Sequence, residues 1–153
     1  MTGSERIGHY ELYVFDWDGT VMDTTALIAR GMQEAAKALS LPIPDYDVCR
    51  GTIGLSNPQA MTVVAPTLPE SRWDEFWRAY RNWYLVREAE VVLFPHLQEL
   101  FDAMKKHDVR MAIATGKSRR GLDRVFEKTG IGAYFEATRT ADECFSKPNP
   151  QML

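Results

Sequence analysis

The chain has 153 residues, 45% hydrophobic and 25% charged, an ordinary globular balance that excludes wholesale disorder. Its 18 basic and 21 acidic side chains give a formal charge of -3, which leaves no electrostatic footprint for nucleic acid or an anionic membrane. That length fits one compact domain, or a small core carrying an insertion.

The two cysteines, Cys49 and Cys144, stand outside any zinc-ligand spacing and read as reduced thiols. Residues 1–9 are polar and lack the apolar stretch of a signal peptide. No apolar run approaches the roughly 20 residues of a membrane helix. The expectation is a soluble, cytoplasmic protein with no membrane and no nucleic-acid partner.

Residues 10–15 (YELYVF) form a short aromatic and β-branched run, predicted as a buried strand. Asp16-Trp17-Asp18-Gly19-Thr20 then reads as a loop at its carboxyl end. From Thr24 the spacing turns helical through Leu27, Ile28, Met32, Ala35, Ala36 and Leu39, with Thr24 or Thr25 as N-cap and Pro42 and Pro44 as the stop. Residues 45–90 read as helical throughout. Asn57-Pro58 is predicted as an N-cap followed by proline at the first helical position. Trp73, Phe76, Trp77, Tyr80, Trp83 and Tyr84 share a helical face, a pattern that most often packs helix on helix and can also form a ligand surface.

Further on, Leu97, Leu100, Phe101 and Met104 predict a helix, and residues 109–114 (VRMAIA) a strand. Residues 118–128 predict a second helix ended by Gly130, and residues 134–140 a further strand. Pro148 and Pro150 would open one more element.

Strands alternating with helices imply a parallel sheet with right-handed crossovers. The fold expected is α/β: a Rossmann-like core from residues 1–22 and 92–153, interrupted by a helical cap over residues 23–91. Ligands of such sheets sit at the carboxyl ends of the strands, so the cap would hang over the site.

Three loops there carry reactive groups. Asp16 and Asp18 can face one pocket across a tight Gly19 turn, one as nucleophile or metal ligand and the other exchanging protons; Asp-Gly is equally a common turn. Thr115-Gly116-Lys117-Ser118 follows a strand and opens a helix, so its hydroxyl and free N–H groups could hold an anion; an ordinary turn capped by Ser118 has the same sequence. It is not a Walker loop. Lys147, fixed by Pro148, could neutralise a phosphoryl oxygen, although alone it would be a surface lysine. Arg50, near Gly51 and Gly54, is a candidate contact for an acidic substrate, or simply a surface arginine.

Taken together, these segments resemble the haloacid dehalogenase-like hydrolases. FDWDGTVMDT is similar to the family's first motif, Ala114-Thr115-Gly116-Lys117 to its second, and Ser146-Lys147-Pro148-Asn149-Pro150 to its third. The helical insertion resembles the subgroup that includes phosphoglycolate phosphatases and β-phosphoglucomutases.

The resemblance implies that Asp16 becomes an aspartyl phosphate and that Asp18 protonates the leaving oxygen and then activates water. It also implies that Thr115, Gly116 and Lys147 bind the phosphoryl group, and that Asp16 and the Asp18 carbonyl hold Mg²⁺. An aspartate at position 18 favours phosphate esters over halides and phosphonates, whose family members lack it. The implied function is Mg²⁺-dependent hydrolysis of a small phosphorylated metabolite; a phosphosugar mutase, or a catalytically incompetent fragment, is the alternative. The family's fourth motif, an acidic pair, has no counterpart before Leu153. The core is therefore expected to be incomplete at its carboxyl end, with the first strand exposed as an edge for self-association.

Overall fold

The computed structural model describes residues 10–153, so the polar start at residues 1–9 lies outside the described residues. Three parallel strands, β1 (Tyr13–Phe15), β2 (Met111–Ala114) and β3 (Ala137–Arg139), form one sheet in the order β1-β2-β3. Tyr13 pairs with Met111 and Phe15 with Ile113; Ala112 pairs with Ala137 and Ala114 with Arg139. β2 is central and buried at all four positions, as an apolar MAIA run flanked on both sides must be.

Between β1 and β2 run α1 (Thr25–Ala38), α2 (Tyr46–Gly51), α3 (Asn57–Val64), α4 (Trp73–Leu85) and α5 (Leu97–Lys106); α6 (Arg119–Thr129) connects β2 to β3. α1 buries Ile28, Met32, Ala35 and Ala36, one stripe at helical spacing. It lies so close to α4 that a Cβ on Gly31 would stand 2.8 Å from the Tyr80 ring. α6 is capped by Ser118 and closed by Gly130 at φ +71°.

Several boundaries differ from the sequence expectation. The first strand is three residues long rather than six, because β2 offers partners only from Tyr13 onward, and Tyr10 is exposed. The cap of α3 is Ser56, not Asn57. Its hydroxyl accepts the Gln59 N–H while the Gln59 side chain reaches back to Ser56, a reciprocal box that places Asn57 inside the helix. Residues 131–134 turn as a 3₁₀ helix after Gly130, so the third strand begins only at Ala137.

The apolar residues gather in two clusters. One joins Ile28, Met32, Cys49, Met61, Phe76 and Tyr84 from α1–α4. The other joins Trp17, Val21, Phe101, Ile113, Leu122 and Ile131 around the sheet. Each fully buried large side chain contributes roughly 1.5–3 kcal/mol, so both clusters hold their surroundings firmly. The chain passes between them at two adjacent places, where Met22 bridges Leu93 in antiparallel fashion and the Asp23 N–H donates to Val92 O at 3.0 Å. Both cysteines are free, and burial pushes the Cys49 thiol up to about 11. Among the described residues no helix is long and apolar enough to cross a membrane.

Candidate active site

A cleft of about 700 Å³ opens at the carboxyl ends of β1 and β2, between the sheet and α1–α4. Asp16 and Asp18 line it because the chain turns sharply after β1. The N–H groups of Thr20, Val21 and Met22 all donate to Trp17 O, and Gly19 takes φ +79°. That φ suits glycine, and a Cβ there would also meet the Thr25 methyl at 2.8 Å. With Trp17 turned wholly into the core, both aspartates are left facing the cleft.

Each aspartate is met by a lysine from a different loop. Lys147 Nζ lies 2.7 Å from Asp16 Oδ1, and Lys117 Nζ lies 3.4 Å from Asp18 Oδ1. Lys117 also stands over the Tyr84 ring, 5.3 Å from its centroid. Burial works to lower the Lys117 pKa, but Asp18, Tyr84 and Glu88 outweigh it and hold the ammonium above its ordinary value.

Beneath this pair Thr115 is fully buried, its hydroxyl accepting the Lys117 backbone N–H at 3.0 Å, while Gly116 lines the cleft. The loop that delivers Lys147 is tied to α6. The Arg119 backbone N–H donates to Asp142 at 2.9 Å, and its guanidinium grips both oxygens of Glu143 at 2.9 and 2.8 Å. Those bonds hold the Glu143 carboxyl down at about 2.

The far wall is aromatic and basic. Trp77, Tyr80 and Tyr84 of α4 line the cleft, whereas Phe76 of the same helix is core. The aromatic face predicted for this helix is thus divided between packing and the cleft. Burial raises both tyrosine pKa values, well above the ordinary value for Tyr80. Glu88 pairs with Arg124 of α6 at 2.9 Å, and Arg81 and Arg120 face the same space.

A family model described as haloacid dehalogenase-like hydrolase matches residues 13–153. The chain belongs to that family.

Among curated members, it is 30% identical over 146 residues to a Dickeya dadantii protein named "Probable phosphatase IndB", covering 92% of this chain and 64% of that one. It is 26% identical to a phosphoglycolate phosphatase of Agrobacterium fabrum, again over 93% of this chain and 64% of the relative. It is 32% identical to the tyrosine-protein kinase PtkA of Mycobacterium tuberculosis, over 82% of this chain and 43% of PtkA. A solved PtkA structure superposes with a TM-score of 0.73 at 28% identity, covering 90% of this chain and 62% of that one. The chain therefore spans less than two thirds of the length of these curated relatives.

Of the residues singled out from sequence in this haloacid dehalogenase-like chain, Asp16, Asp18 and Gly116 meet at the cleft, and Lys147 reaches Asp16. Thr115 lies under them. Arg50 does not line the cleft; it is exposed and sits 3.7 Å from Asp47. Lys117 joins the cleft as a site residue that the sequence expectation does not include, and its place directly after Gly116 at a strand end is the local signal for it. Glu88, Arg124, Arg81 and Arg120 had no local signal, because they come from α4, the turn after it and α6, which only the folded chain brings to one cleft.

The donor set fits a small hard cation in kind. Lys147 takes Oδ1 of Asp16, leaving Oδ2 open, and Mg²⁺ is commonly held by one or two carboxylates with phosphate and water oxygens. Among the described residues no group of three or more His, Cys, Asp or Glu side chains converges as a metal site.

Proposed function

We propose that the protein hydrolyses a small phosphate monoester through a phosphorylated Asp16, with phosphoglycolate-like substrates foremost. The observation that carries this reading is the pair of aspartates on one cleft, each facing its own lysine at 2.7 and 3.4 Å. Phosphoryl transfer asks chiefly for positioning and charge neutralisation, and this arrangement offers both.

An Asp16 oxygen attacks phosphorus as the bond to the leaving oxygen breaks, and Asp18 gives that oxygen its proton. Asp18, now a carboxylate, takes a proton from water. The water oxygen attacks the phosphorus, releasing inorganic phosphate and restoring Asp16. Lys147 offsets the charge that builds on the phosphoryl oxygens. Asp16 and the Asp18 carbonyl would hold Mg²⁺, which supplies further neutralisation when bound.

Asp16→Asn should lower turnover of 4-nitrophenyl phosphate below detection in Mg²⁺ while leaving the circular dichroism spectrum intact, because an amide is a poor nucleophile. Turnover near that of the wild type would sink the mechanism.

A further inference from the structure

Positive charge is in surplus along the cleft. Its three carboxylates are each matched: Asp16 by Lys147, Asp18 by Lys117 and Glu88 by Arg124. Two guanidiniums remain, Arg81 on α4 and Arg120 on α6, and among the described residues neither side chain has an ion pair or hydrogen bond. The protein as a whole carries more acids than bases, 21 against 18. Two unpaired arginines facing one cleft from different helices are therefore a local reversal of that balance, and clefts focus such fields.

We infer that the leaving group of the substrate carries a second anionic group, a carboxylate or a further phosphate, held between Arg81 and Arg120. This rests on the reading of the cleft as a phosphate-ester site. The phosphoryl end is served by Asp16, Asp18 and Lys147, so the two arginines are left for the rest of the molecule. A guanidinium presents a planar fork of donors that matches carboxylate or phosphate two bonds at a time. Arg81 comes from the helical layer and Arg120 from the sheet layer, so one anion between them would draw both walls onto the substrate. A cleft of about 700 Å³ suits a small metabolite carrying two anionic ends. Arg50, the arginine that the sequence suggested for this task, already has Asp47 beside it and lies off the cleft.

The test compares kcat/KM for 2-phosphoglycolate and ethylene glycol bisphosphate with that for ethyl phosphate, which has the same chain length and no second anion. The wild type should prefer one of the first two by about 10- to 100-fold, the usual worth of a charge-assisted contact. The one preferred tells carboxylate from phosphate. Arg81→Ala and Arg120→Ala should each cut that ratio about tenfold, and the double variant should bring it near one; Arg50→Ala should keep the wild-type ratio.

A wild-type ratio near one, a ratio that survives the double variant, or one that collapses in Arg50→Ala alone would overturn the inference. If no ester is turned over, 4-nitrophenyl phosphate included, it is the phosphatase reading that fails. The same ratios measured by calorimetric binding then decide the anion site separately.

Discussion

Asp18 Oδ1 lies 3.4 Å from an ammonium that is itself set against the Tyr84 ring, so the acid of the proposed mechanism is met by a side chain of the sheet layer that also touches α4. A general acid matters most when the departing oxygen is basic. Asp18→Ala should therefore slow hydrolysis of an alkyl phosphate far more than that of 4-nitrophenyl phosphate, read as the ratio of the two kcat values. Equal losses would leave Asp18 with a role in the fold alone. The placement of Asp16, Asp18 and Gly116 was legible because a strand run and a turn residue give the position of a loop without any knowledge of the fold. Lys117 carries the same local signal, since it follows Gly116 at the end of a strand. Arg81, Glu88 and the Arg120–Arg124 pair were unreadable in a stronger sense: they come from α4, the turn that follows it and α6, and no spacing within one segment joins the three.

The elements were read more surely than their ends. Helical stripes such as Ile28, Met32, Ala35 and Ala36 declare themselves by period, whereas a strand stops where its partner stops, a property of two segments at once. The Ser56 cap differs, since Ser-x-x-Gln stands openly in the sequence beside the competing Asn-Pro signal. The tie between α6 and the segment leading to Lys147 has a pH consequence. Glu143 is held at about 2 in the folded chain, against an ordinary value near 4.5. Above the ordinary value the carboxylate is ionised in both states and the grip of Arg119 stabilises the fold in full. As pH falls from about 4.5 toward 2 the unfolded chain takes up the proton first, so that stabilisation drains away. The site is open to solvent, which screens the pair and keeps the effect small. Thermal midpoints measured between pH 5 and pH 3 should fall less in Glu143→Gln than in the wild type, and parallel curves would show that the tie carries no weight.

At the scale of the whole molecule, two apolar clusters face each other across a polar seam. The seam is crossed by the chain beside Met22 and Leu93, and by the Lys117–Tyr84 and Arg124–Glu88 contacts. Nothing in the amino-acid order states that the clusters remain separate; the close packing of α1 on α4, where a Cβ on Gly31 would meet the Tyr80 ring, lies within the helical cluster alone. The tryptophans divide along the same line. Trp17 is sealed in the sheet cluster against Phe126, while Trp73, Trp77 and Trp83 all sit on α4. Intrinsic fluorescence can therefore watch each half alone: a chain with phenylalanine at 73, 77 and 83 emits only from the sheet cluster, and Trp17→Phe only from the helical one. The two clusters are packed separately, and cooperative units within one chain open at different free energies, so urea titrations of the two emitters should give two distinct midpoints. A single shared midpoint would mean that the few polar contacts across the seam are strong enough to make the molecule melt as one.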